Sequence, residues 1–167
     1  MNDPISALSV AKAVGATFCR GFFVGNHVGN YGALNKTPGE IFRYGKSIGA
    51  DDIAVYSSFE PHNATNLDTR SVEEMYKTLT FDIPLAGYSM AGPAKGEKIE
   101  DSTIARCKRL DPSIPINCNN HTSAQNVKEI LKYADMVVVG TALKKDHYLF
   151  NPIDYDNAKE FIEAAKG

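Results

Sequence analysis

VVVGTALKKDHYLFNPID, residues 137–154, reads as one complete structural step. Met136 to Thr141 is a nearly continuous apolar run, the pattern of a parallel strand buried on both faces. A polar stretch follows, and Asp154 then opens a helix in which Ala158, Phe161, Ile162 and Ala165 recur at helical spacing. Strand, functional-looking loop and helix follow one another without a linker.

The same step is repeated upstream. Ile114 to Cys118 is a strand, and Thr122 is placed to cap a helix carrying Ala124, Val127, Ile130 and Leu131. Ile83 to Tyr88 is a strand followed by the glycine-bearing loop SMAGPAKGEK and a helix marked by Ile104, Cys107 and Leu110. Ile53 to Phe59 is a strand, and Ser71 with Glu74 forms a capping box before a helix carrying Val72, Met75 and Leu79. Thr17 to Val24 is a strand, followed by the long polar loop GNHVGNYGALNK. Thr37 and Glu40 repeat the capping box ahead of Ile41, Phe42 and Ile48, and Gly49 stops that helix. A first helix precedes all of these, with Asp3 as N-cap, Pro4 in the first turn, and Ile5, Leu8, Ala11 and Val14 before Gly15.

A helix and then five strand–helix pairs predict an α/β fold with parallel strands and right-handed crossovers. An open doubly wound sheet and a portion of a (β/α)8 barrel both fit. In either, ligands bind at the carboxyl ends of the strands. The loops leaving strands are long and rich in glycine, histidine and asparagine, whereas those entering strands are as short as Gly15-Ala16 and Ala134-Asp135. No low-complexity linker interrupts the pattern, so residues 1–167 are expected to form one domain.

The 18 basic and 20 acidic residues give a net charge of −2, with no run of like charge. Nucleic-acid binding driven by backbone electrostatics is therefore not expected. No segment approaches the roughly 18 uninterrupted apolar residues of a membrane span. MNDPISALSVAKAVGA lacks a basic n-region and does not read as a signal peptide. Cys19, Cys107 and Cys118 form no CxxC, and a reducing, cytoplasmic setting is expected.

All four histidines, His27, His62, His121 and His147, follow strands and are expected on one rim. Histidine titrates near neutrality, which makes His62 and His27, with Glu60 beside them, the candidates for acid–base catalysis. The same groups could hold a metal, but no HExxH or comparable spacing supports one, and no metal ligand is assigned. The chain names no cofactor. Gly25 to Gly32 lacks the Gly-Lys-Ser/Thr ending of a phosphate loop, and its glycines are read as turn residues. Lys95 and Lys98 lie in a solvated loop, and Cys118 is read as a small core residue.

Gly140, Thr141, Leu143, Lys144, Asp146, Asn151, Pro152 and Asp154 form a pattern that resembles the last strand and loop of the BtpA-like family. NDPISALSVAKAVGA, EIFRYGKSIGADDIAV and LDTRSVEE resemble upstream helices and a strand of that family, so the resemblance covers nearly the whole chain. It implies a TIM barrel of about 250 residues, of which this chain carries strands four to eight. The barrel's first three strands are then expected outside this sequence. The exposed edges of a five-stranded unit call for a second copy or a complementing chain to cover them.

The resemblance also implies departures at the rim. Ser58 stands where an aspartate is expected, His62-Asn63 where Lys-His is expected, and Asn119, Asn120 and His121 where Gly-Ser-Gly is expected. TIM barrels often hold phosphate at the loops after their last two strands. That implies a ligand site formed by Asn119, Asn120, Gly140, Thr141 and Lys144. Two functions remain open: binding or turnover of a small phosphorylated or sugar-like ligand, and a non-catalytic biogenesis or assembly role of the photosystem I type.

Overall fold

The computed structural model describes residues 3–30, 32–34, 37–58, 64–94 and 97–166. In chain order the elements are α1 (Pro4–Ala13), β1 (Phe18–Gly21), β2 (His27–Gly29), β3 (Gly32–Leu34), α2 (Pro38–Ser47), β4 (Ala54–Ser58), β5 (Ala64–Asn66), α3 (Val72–Asp82), β6 (Gly87–Ala91), α4 (Thr103–Leu110), β7 (Ile116–Asn119), α5 (Val127–Ile130), β8 (Met136–Val138) and α6 (Tyr155–Lys166). Short 3₁₀ turns precede α4 and follow β8.

The main sheet has the order β1-β4-β6-β7-β8, and every neighbouring pair is parallel. Strand order follows chain order without reversal. A doubly wound sheet reverses at a switch point; sequential order belongs to a barrel wall. The helices cover one face: Tyr88, Met90, Ile116 and Cys118 pack with Met75, Ile104, Cys107 and Ile130 in one cluster, and Val55 packs with Leu8 and Ile41 in another. The fold is a parallel (β/α) half-barrel.

Local chemistry explains the helix starts. Asp3 accepts from the N–H groups of Ile5 and Ser6 at 3.1 and 3.3 Å. Both predicted capping boxes are formed. Thr37 N donates to Glu40 at 2.9 Å while Glu40 N donates to Thr37 Oγ1 at 3.3 Å, and Ser71 and Glu74 exchange the same pair at 2.8 and 3.2 Å. Asp154 caps the last helix by accepting from Asn157 N at 3.0 Å.

Four expectations are corrected. The long polar loop after β1 contains a strand pair: β2 lies antiparallel between β3 and β5 in a second, three-stranded sheet. Strands of three residues, His27–Gly29, Gly32–Leu34 and Ala64–Asn66, are too short to display alternation. The strand predicted at Ile83 to Tyr88 lies further on, over Gly87–Ala91, because α3 runs to Asp82 and Pro84 has no N–H for a ladder.

Thr122 caps no helix. Its hydroxyl donates to Asn120 O at 3.3 Å, and α5 is a single turn that excludes Ala124. The last strand stops at Val138 and is half-buried rather than sealed on both faces, since β8 is the sheet edge. Among the described residues no helix is long and apolar enough to cross a membrane.

Candidate functional site

Four of the five predicted ligand-site residues meet. Asn119, Asn120, Gly140 and Thr141 line one cleft of about 570 Å³, together with Arg20, His121 and Val138. Asn119 ends β7, and Gly140 leads from β8 into a 3₁₀ turn over Thr141–Leu143. The two loops are brought together because β7 and β8 are paired, with Asn119 opposite Val138.

The fifth residue is turned away. Lys144 does not line the cleft; its ammonium donates to Asn151 O at 2.9 Å, and its carbonyl accepts from Asn157 Nδ2 at 2.9 Å. It fastens the loop to the start of α6. Arg20 takes its place as the cation lining the cleft. Sequence reading passed over Arg20 because it stands inside a strand; an arginine at an inward-facing strand position was the available signal.

The backbone after β7 is unusual. Asn120 and His121 both have positive φ, 71° and 55°, in the left-handed region that disfavours side chains. Asparagine tolerates it better than most. Gly92 on the neighbouring loop packs against this turn, and a Cβ there would stand 2.9 Å from Asn120 O. Strained backbone held by its surroundings is characteristic of ligand-binding loops.

The histidines separate. His121 lines the cleft and also borders a second depression with Glu97, Lys98 and Glu129. His147 lies apart, in a third depression against α6. His27 is only 1% exposed and belongs to the small sheet. Its Nε2 lies 3.1 Å from Val24 O, its ring packs on Phe22, and Nδ1 has no partner among the described residues. Burial lowers its pKa below the usual value, against the opposing effect of the Val24 carbonyl. The other two catalytic candidates, His62 and Glu60, and also Lys95, fall outside the described residues.

One further set of polar groups was missed. Ser89 Oγ, both amide atoms of Asn117 and Asn119 Oδ1 are buried without a hydrogen-bond partner among the described residues. All three residues alternate with the helix-facing Tyr88, Met90, Ile116 and Cys118, so they face the barrel interior.

The sequence model of the BtpA family matches residues 1–167. The chain belongs to the BtpA family. Among curated BtpA-family relatives, the sgc region protein SgcQ of Escherichia coli is 27% identical over 96% of this chain and 60% of its own length. The photosystem I biogenesis protein BtpA of Synechocystis is 27% identical over 98% of this chain and 57% of its own. The chain thus spans about 60% of the length of these curated relatives. Among solved structures, N-(5'-phosphoribosyl)anthranilate isomerase from Pyrococcus furiosus superposes with a TM-score of 0.58 at 17% identity, covering 99% of this chain and 70% of that one. That likeness concerns the fold.

Proposed function

We propose that this BtpA-family chain grips the anionic end of a small phosphorylated ligand between Arg20 and the loops following β7 and β8. The observation that carries this reading is the cleft itself, lined by Arg20 from β1 and by Asn119, Asn120, Gly140 and Thr141 from the ends of β7 and β8. A guanidinium presents planar donors that match phosphate oxygens. Side-chain amides and a threonine hydroxyl add neutral donors. Gly140 leaves open space, with nothing within 4 Å of where its Cβ would stand.

Isothermal titration with inorganic phosphate tests the reading. Binding should be measurable, and Arg20→Ala should weaken it about tenfold or more, as expected for one charge-assisted hydrogen bond. Unchanged affinity in a folded Arg20→Ala protein rejects it. Catalysis by His62 and Glu60 is a further step of the same proposal, tested by alanine replacement in a turnover assay. His27, buried within the small sheet, is better suited to structure than to proton transfer.

A second reading, a non-catalytic assembly factor, is favoured by a different observation. Tyr148, Phe150 and Tyr155 are 56%, 80% and 79% exposed just beyond the edge strand β8. Exposed aromatic side chains that follow an edge strand with no further partner among the described residues suit contact with another polypeptide. The two readings separate on function: loss of biological activity in Arg20→Ala or Asn119→Ala supports ligand binding, and loss only in Phe150→Ser or Tyr155→Ser supports assembly.

A further inference from the structure

Two side chains able to carry positive charge line the cleft, Arg20 of β1 and His121 of the turn after β7. His121 is exposed and has a φ of 55°. The turn that carries it is fastened from within. Asn126 Nδ2 donates to His121 O at 2.6 Å, and the Thr122 hydroxyl donates to Asn120 O at 3.3 Å. Gly92 backs the turn, since a Cβ there would stand 3.6 Å from His121 Cβ and 2.9 Å from Asn120 O.

These fastenings have an electrostatic consequence. Carbonyl oxygens are acceptors and repel an anion, and the two of this turn are engaged by side chains of their own loop. A left-handed position is filled at least cost by glycine or asparagine. A histidine there bears strain that those residues avoid. What it adds is an imidazole, a group whose charge ordinarily changes close to neutral pH.

We infer that protonated His121 is a second cation of the cleft, which binds a doubly charged oxyanion jointly with Arg20 and makes its retention depend on pH. The inference rests on the reading of the cleft as an anion site. Arg20 of β1 borders the same cleft, while Glu97, Lys98 and Glu100 ahead of α4 and Glu129 of α5 border the second depression that His121 also lines. Glu97 accepts from Ala94 N at 2.7 Å and Glu129 from the Lys132 ammonium at 2.6 Å, so both carboxylates already hold donors of their own. Among these side-chain types only histidine ordinarily changes charge between about pH 5 and pH 8. A bound anion and a proton on the imidazole each favour the other. An anion of fixed charge therefore binds more tightly as pH falls, and its binding near neutrality draws a proton from solvent.

Isothermal titration with inorganic sulfate tests this, because sulfate keeps its charge across the range whereas a phosphate group takes up a proton at about pH 6. The wild-type chain should bind sulfate about tenfold more tightly at pH 5.5 than at pH 8.0, roughly the effect of one added charge in a partly screened site. His121→Asn, whose side chain suits the left-handed backbone, should bind at the weaker level at both pH values. His121→Lys, which keeps its charge, should hold the tighter level at pH 8.0. In buffers of different ionisation heat, sulfate binding near neutrality should take up protons in the wild type and not in His121→Asn. Circular dichroism confirms folding, and His121→Asn carries the test where His121→Lys does not fold.

Sulfate binding that Arg20→Ala weakens but that is equal at the two pH values overturns the inference and leaves the anion reading intact. A wild-type pH dependence retained in folded His121→Asn overturns it as well. Binding that His121→Asn flattens and Arg20→Ala leaves unchanged supports the imidazole and rejects the role given to Arg20. No binding of sulfate at either pH by the folded chain rejects both.

Discussion

Ser89 and Asn117 are Cα partners on neighbouring parallel strands, and the Ser89 hydroxyl and the Asn117 amide both lie buried without a hydrogen-bond partner among the described residues. The helix-facing residues that flank them, Tyr88, Met90, Ile116 and Cys118, form ordinary apolar packing. The two faces of the same strands therefore obey different rules: one stabilises the fold and the other is chemically unfulfilled.

Replacing Asn117 with leucine should stabilise the ligand-free protein. Each unsatisfied buried polar group costs about 1–3 kcal/mol, and an apolar side chain of similar size removes that cost. A thermal melt should show a higher midpoint for Asn117→Leu than for the wild type. A lower midpoint would mean the amide is satisfied in solution.

Asn119→Asp should do more harm to anion binding than Asn119→Ala. The carboxylate keeps the size of the amide but places a negative charge on the lining of the cleft, where it repels phosphate. Titration with inorganic phosphate at low ionic strength should show a loss of at least about tenfold for the aspartate, roughly the cost of unfavourable charge in a partly screened site. Equal loss in the two variants would remove electrostatics from the account.

Asp135 makes stability depend on acid pH. Burial raises its pKa, but the Lys108 ammonium at 2.8 Å and the Ile116 N–H at 2.7 Å outweigh burial and hold it below the ordinary value of 3.8. A carboxylate with a lowered folded pKa contributes stability above pH 3.8 that is lost as pH falls through the folded value. Melts across acid pH should show a shallower decline for Asp135→Asn than for the wild type.

His27 acts in the same direction at a higher pH. Its folded pKa is depressed below 6.5, so the unfolded chain binds the proton first as pH drops. Its contribution is complete above pH 6.5 and is lost as pH falls through the folded value. Denaturant titrations at pH 7.5 and 5.5 should therefore show a larger loss for the wild type than for His27→Gln.

Gly87 leaves no room for a side chain at the start of β6. A Cβ there would collide with the Pro115 backbone carbonyl and lie 2.7 Å from the Tyr56 ring. Gly87→Ala should cost about 1–3 kcal/mol of stability, the usual effect of overpacking against atoms that cannot yield. An unaltered unfolding midpoint would contradict this packing.

What could be read from the sequence was what is encoded locally. Thr37 with Glu40 and Ser71 with Glu74 announce helix starts because both partners lie within one turn. The meeting of Asn119, Asn120, Gly140 and Thr141 followed from strand order, since consecutive parallel strands bring their following loops together. Ser89 was assigned to a loop because a polar residue interrupts an apolar run, yet it is the inner face of β6 that requires it. The small sheet was hidden because His27–Gly29 pairs with Ala64–Asn66, far away along the chain. Arg20 and Lys144 exchanged roles for a reason no spacing reveals: the lysine is captured by the Asn151 carbonyl, while the arginine faces inward from the opposite edge of the sheet.

Arg20 belongs to β1 and Gly140 follows β8, the first and last strands of the five-stranded order, yet both border the same cavity. A molecule bridging them ties the two margins of the wall to one another. Its affinity then includes the elastic cost of curling the wall, and anything that stiffens or splays that wall changes binding without touching a single contacting atom.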